Sequence, residues 1–145
     1  MKKAHQRLEA WQQSMKLVKH IYRSTATFPR EELYGLTSQM RRAAVSIPSN
    51  IAEGAARETT PEFLRFLYIA RGSLAELETQ ALIARDLNYL IDAGLILEGT
   101  GRVSVLLNGL IRNLKARNPK ASEDLPDYGI DPIESANLGA PASDD

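Results

Sequence analysis

Apolar residues along this chain return at helical intervals in four separate stretches. In the second, Leu33, Leu36, Met40, Ala43, Ile47 and Ile51 are three or four residues apart, which puts them on one face of an α-helix. The rhythm runs straight through Pro48, which removes a backbone donor and crowds the carbonyl of Ala44. A helix over residues 31–53, kinked at Pro48 and held by neighbours, accounts for both features. Gly54 follows as a C-cap residue. Ser46, Ser49 and Asn50 bracket the proline, with side chains able to take up backbone groups freed by a kink.

The first stretch, residues 7–27, carries its stripe on Leu8, Trp11, Met15, Val18 and Tyr22 and stops at Phe28-Pro29. The third, residues 60–90, is announced by Thr60-Pro61 and by the capping-box spacing of Thr59 and Glu62. Its stripe is Phe63, Phe66, Ala70, Leu74, Leu77, Ala81 and Ala84, close to a heptad seam. The fourth, residues 94–117, keeps the period at Ile96, Val103, Leu106, Leu110 and Leu114. Its Gly99, Gly101 and Gly109 each weaken a helix by about 1 kcal/mol relative to alanine. No stretch alternates like a strand. Four amphipathic helices with short connections predict an all-α, antiparallel up-down-up-down four-helix bundle over residues 1–117.

The third helix also has an apolar far side. Ile69, Ile83, Leu87 and Leu90 flank Gly72 opposite the core stripe, where water would otherwise face them. A helix from another subunit approaching closely at Gly72 explains this better than scattered surface aliphatics. Arg71, Glu78 and Arg85 alternate in charge along the flank and suit pairing with a neighbouring helix.

Charge is more informative here than composition. At 145 residues, 43 % hydrophobic and 25 % charged, the chain is an ordinary globular domain. Its zero net charge is the sum of two unequal parts. Residues 1–120 hold all 18 Lys and Arg against 11 Asp and Glu; residues 121–145 hold seven acids and no base. Periodicity ends at Asn118, and Pro119, Pro126, Pro132 and Pro141 punctuate the rest, so residues 118–145 read as a disordered acidic tail. Such a tail either solubilises the protein or competes with an anionic partner for the basic body. No run of about 20 consecutive apolar residues suggests a membrane span, and no apolar stretch follows Lys2 and Lys3 as in a secretory signal. A cytoplasmic protein is the expectation.

The chemistry that the chain lacks narrows its function. Without cysteine there is no disulfide, thiol nucleophile or thiolate metal site. Its two histidines, His5 and His20, have no acid three residues earlier, which argues against the di-metal carboxylate sites that helical bundles can carry. No Walker A or dinucleotide-binding glycine motif is present. No catalytic residue, metal or cofactor is expected. Glu53 is read as a partner for Arg57, four residues on. The polar faces are more informative. Lys16, Lys19 and Arg23 line up with Gln12 opposite the first stripe, and Arg41, Arg42 and Arg57 add charge on the second helix and the loop after it. Cations arrayed along helices can neutralise phosphates without reading sequence. Aromatic interleaving for base stacking is poor if Trp11 and Tyr22 face the core.

The block Gln39-Met40-Arg41-Arg42-Ala43-Ala44-Val45-Ser46-Ile47-Pro48-Ser49-Asn50-Ile51-Ala52-Glu53-Gly54 resembles the four-helix-bundle family encoded in intervening sequences of bacterial 23S rRNA genes. That family includes relatives of the accessory variability protein of diversity-generating retroelements. Trp11 with Ser14, Ile21-Tyr22, Phe28-Pro29, Tyr34-Gly35-Leu36, Gly72-Ser73-Leu74 and Glu76-Leu77-Glu78-Thr79-Gln80 extend the resemblance from Leu8 to Leu114. It implies an up-down bundle, a ring of five subunits and no enzyme activity. The retroelement relatives are basic and hold nucleic acid and a reverse transcriptase; this chain departs from them in its neutral charge and acidic tail. Three readings stay open: an oligomer that binds RNA, DNA or a nucleoprotein, a protein–protein scaffold that never touches nucleic acid, and a small-molecule pocket at Pro48 lined by Asn50 and Glu53.

Overall fold

The computed structural model describes residues 1–123, which contain helices and no strand. The chain opens with a 3-10 turn, Ala4–Arg7, in which the Lys3 backbone N–H donates to Gln6 Oε1 at 2.9 Å. His5 then sets its ring edge against Trp11, centroids 5.3 Å apart. Helix α1 follows over Glu9–Thr25. Its buried line is Ala10, Ser14, Leu17, Ile21 and Thr25, not the stripe expected from the large residues. Trp11, Met15 and Val18 are only half-buried, and Tyr22 is exposed. Ser14 and Thr25 can lie inside because each hydroxyl donates to a carbonyl of its own helix, Ser14 to Trp11 and Thr25 to Ile21, both at 2.8 Å.

A 3-10 turn at Arg30–Glu32 leads into helix α2, Leu36–Ala55, which begins later than the pattern suggested and leaves Leu33 exposed. Glu32 holds this junction. Its Oε2 accepts from the Leu36 backbone N–H at 2.8 Å, and its Oε1 accepts from the Tyr89 hydroxyl at 3.4 Å. Partial burial, and then the nearby Glu32 and Glu31 carboxylates, push the Tyr89 hydroxyl pKa up. Leu36, Met40, Ala43, Ile47 and Ile51 are buried as expected, together with Thr37, Ala44 and Pro48. Gly54 is not the cap of this helix. It lies buried inside the last turn, and a Cβ there would stand 2.8 Å from Phe66 Cβ and 2.8 Å from Phe63 Cδ2.

Helix α3 covers Thr60–Asp86. Thr59 is its N-cap, accepting from the Glu62 N–H at 3.4 Å, and Pro61 occupies the first turn as predicted. Ala70, Leu74, Leu77, Ala81 and Ala84 line the core, but near the start Leu64 and Leu67 replace Phe63 and Phe66, which are half-buried. The helix stops four residues before the expected Leu90. Asn88 takes a left-handed φ of 61°, the Asn88 N–H bonds the Arg85 carbonyl and the Tyr89 N–H bonds the Ala84 carbonyl, each at 2.9 Å. That turn sends Tyr89 against Phe28, ring centroids 5.6 Å apart, and packs Leu90 on the core.

Helix α4 spans Gly94–Arg117, with Asp92 Oδ1 accepting from the Gly94 N–H at 2.7 Å. It buries Ile96, Thr100, Val103, Leu107 and Ile111, while Leu106, Leu110 and Leu114 flank the seam. Gly99 lets it approach α1: a Cβ there would lie 3.2 Å from Leu17 Cδ1. By length and composition α4 is long and apolar enough to cross a membrane, the one such helix among the described residues. Its Ile96, Val103, Leu107 and Ile111 belong to the same core cluster as the buried residues of α1, α2 and α3, while Leu95 and Val105 are exposed. A short helix α5, Pro119–Glu123, follows where the sequence pattern placed the start of a tail, and its Ala121 is buried. The rest of the predicted tail, residues 124–145, lies outside the described residues.

Contacts between helices run in a ring. α2 packs on α1 and α3, and α4 packs on α1 and α3, with no close backbone approach between α1 and α3 or between α2 and α4.

Candidate nucleic-acid interface and assembly face

The cations singled out in the sequence separate into two groups. Lys16, Lys19 and Arg23 are exposed along the outer side of α1, and Arg42 is exposed on α2. None of the four makes an ion pair among the described residues. Arg41 and Arg57 are engaged instead. Arg41 donates from Nε to Thr25 Oγ1 at 2.9 Å and from Nη2 to the Tyr22 carbonyl at 3.4 Å, with its guanidinium 4.6 Å from the Tyr22 ring centroid. Arg57 pairs with Glu53 at 3.0 Å, as the spacing suggested, and lies 4.9 Å from the Phe66 ring. The outer surface of α1 is thus a row of unpaired positive charge, with Arg41 pinning α2 to its end.

Tyr22 is therefore a surface aromatic, contrary to its place on the expected stripe. It shares a trough of about 680 Å³ with Leu33, Tyr34, Arg41, Arg42 and Val45. Sequence reasoning missed this grouping. Its trace in the chain is Tyr34, a large residue beside Gly35 that falls off the apolar stripe. A smaller cleft of about 250 Å³ runs between α1 and α4, where Lys16 and His20 face Glu98 and Arg102. Glu98 and Arg102 already pair at 3.2 Å. No cluster of three or more His, Asp or Glu is placed to hold a metal ion among the described residues.

Around Pro48 the side chains serve packing. Asn50 Nδ2 donates to the Ser46 carbonyl at 2.8 Å and to Ser46 Oγ at 2.9 Å. The hydroxyls of Ser46 and Ser73 then join α2 to α3 at 2.8 Å. So Asn50 bonds within its own helix, and Ser46 is the residue that reaches across. Ser49 is exposed.

On α3, Ile69, Ile83 and Leu87 are exposed at 42 %, 44 % and 50 %, and Gly72 has no atom within 4 Å of where a Cβ would be. Leu90 leaves this group, because it lies beyond the helix end and packs inward. Arg71 leans over Tyr68, 4.6 Å from the ring centroid, and reaches Asn108 of α4 at 3.5 Å. Arg85 pairs with Asp86 at 3.0 Å.

An all-helical protein with its distinctive chemistry spread over outer helix faces is what these residues define. The 23S rRNA-intervening sequence protein family matches residues 6–108, and the chain belongs to that family. The matched region contains α1, α2, α3 and most of α4, and with them every basic and apolar surface residue singled out above. Among curated proteins there is no match.

Proposed function

We propose that this protein is a non-enzymatic, cytoplasmic homo-oligomer that holds the phosphate backbone of a nucleic acid on the outer face of α1. The supporting observation is the row Lys16, Lys19 and Arg23, exposed and without acidic partners, with Arg42 on the adjacent helix. Unpaired cations along a helix release counterions when they meet phosphates, which makes binding steeply dependent on salt. Retention of RNA or DNA at low salt tests the reading. Replacing Lys16, Lys19 and Arg23 by alanine together should flatten the slope of log affinity against log salt by about two to three units. Removing residues 124–145, which carry acids and no base, should tighten retention. An intact and a truncated chain that both fail to bind at low salt would leave the scaffold reading in its place.

The architecture we propose beneath this is an antiparallel up-down-up-down bundle with α2 bent at Pro48. Consecutive helices in contact across the connections 26–35, 56–59 and 87–93 support the alternation. The missing donor at Pro48, above the Asn50–Ser46 bonds, supports the bend. Assembly into the five-subunit ring that the resemblance implies is proposed to use Ile69, Gly72, Ile83 and Leu87. Because Gly72 faces open space in the single chain, Gly72→Leu should leave the fold intact and lower the oligomer mass measured by light scattering. An unchanged mass would place the assembly surface elsewhere.

A further inference from the structure

The trough formed by Tyr22, Leu33, Tyr34, Arg41, Arg42 and Val45 combines three properties. It is concave, and its volume falls within the range of about 300–1,000 Å³ typical of pockets for compact organic ligands. It carries positive charge without an acidic residue among its lining. It also displays aromatic and aliphatic surface to water. Tyr34 is 93 % exposed, Tyr22 is 45 % exposed, and Leu33 and Val45 stand half open beside them. A ring as open as Tyr34 adds almost nothing to this chain's own core. Arg41, in contrast, is fixed: its bond to Thr25 and its stacking on Tyr22 make a rigid cation–π platform on one wall. Arg42 is left unpaired beside it.

A ligand that satisfies all of this is anionic and presents flat apolar faces. We propose that the trough receives unpaired nucleotides of a single-stranded nucleic acid, with Tyr34 stacking on a base while Arg42 and the Arg41–Tyr22 platform meet the flanking phosphates. The charge of the trough complements a phosphodiester chain, and its open rings require bases that are not already stacked inside a duplex. This rests on the reading that the protein binds nucleic acid, and it adds which strand form is bound and where.

The test compares a fluorescent single-stranded RNA of about 15 nucleotides, without secondary structure, with a duplex of the same length. Anisotropy at low salt is read for the full chain, Tyr34→Ala, Tyr34→Phe, and the alanine triple at Lys16, Lys19 and Arg23. The full chain should prefer the single strand. Tyr34→Ala should weaken single-strand binding roughly tenfold while leaving duplex binding unchanged, and Tyr34→Phe should restore the affinity. Single-strand affinity that survives Tyr34→Ala but falls in the triple variant overturns the trough and leaves the backbone-binding reading standing. Loss in both Tyr34 variants overturns base stacking. Failure of the full chain to bind either probe overturns both proposals, and leaves an acidic peptide as the ligand to try.

Discussion

Gly54→Val should destabilise the protein by about 3 kcal/mol, the upper part of the range for overpacking a tight interface. Gly101→Ala should stabilise it by up to about 1 kcal/mol. Both glycines are inside helices, so propensity alone predicts the same sign for each. What separates them is the space beside the missing Cβ. At Gly101 there is no atom within 4 Å, and the alanine methyl only restricts the unfolded chain and favours the helix. At Gly54 the first added carbon already meets Phe66 Cβ and Phe63 Cδ2 at 2.8 Å and the Phe63 carbonyl oxygen at 3.2 Å. The Phe63 ring can turn aside, but Phe66 Cβ and a backbone oxygen cannot move unless α3 itself shifts. Valine then adds two methyls and a β-branch that a helix dislikes. Urea midpoints at one fixed protein concentration, with the slope unchanged, would measure both effects. A Gly54→Val protein as stable as the original would mean that α2 and α3 do not approach as closely as described.

The second large effect is expected at Ile21. Ile21→Ala should cost about 3 kcal/mol, while Met15→Ala, two turns earlier, should cost less than about 1 kcal/mol. Ile21 is fully buried between the helices, and its loss leaves a cavity that rigid neighbours cannot fill. Met15 is half-buried and does not belong to the group of side chains packed on the core. Ranking these two residues by sequence gives the opposite order, since Met15 falls on the stripe Leu8, Trp11, Met15, Val18 and Tyr22 and Ile21 does not. Thermal unfolding of both variants decides between the two registers. A larger loss at Met15 would return α1 to the face its bulky residues suggest.

That disagreement shows where the fold was legible. In α2 the large apolar residues other than Val45 are the buried ones, and Leu36, Met40, Ala43, Ile47 and Ile51 could be read directly. In α1 and α4 the innermost positions include Ala10, Ser14, Thr25 and Thr100, small or hydroxylated residues that a search for bulk passes over. The bulky residues beside them cover the edges of the seam. Thr100 is acceptable inside because its hydroxyl donates to the Leu97 carbonyl at 3.0 Å, a bond that no spacing rule reveals. Gly54 was read as punctuation at a helix end, because the need for a missing Cβ arises only once α3 lies against it.

The candidate interface was legible to a similar degree. Lys16, Lys19 and Arg23 share a face by periodicity alone, and they are exposed together. Arg57 could be set apart by its spacing from Glu53, but Arg41 could not be separated from them by sequence. What engages Arg41 is Tyr22 and Thr25, sixteen or more positions away. The exposure of Tyr22 depended on the register of α1, and with it the trough.

The interior lined by Ala43, Ala44, Ala70, Ala81 and Ala84 has a thermodynamic side as well. Alanine has no rotamers to surrender, so ordering these positions is opposed by backbone entropy alone. Ordering these positions is correspondingly easier than ordering leucine or methionine in their place. The same residues offer no swinging side chain that could absorb an extra methyl, so drift in one wall demands a matching change in the wall it faces.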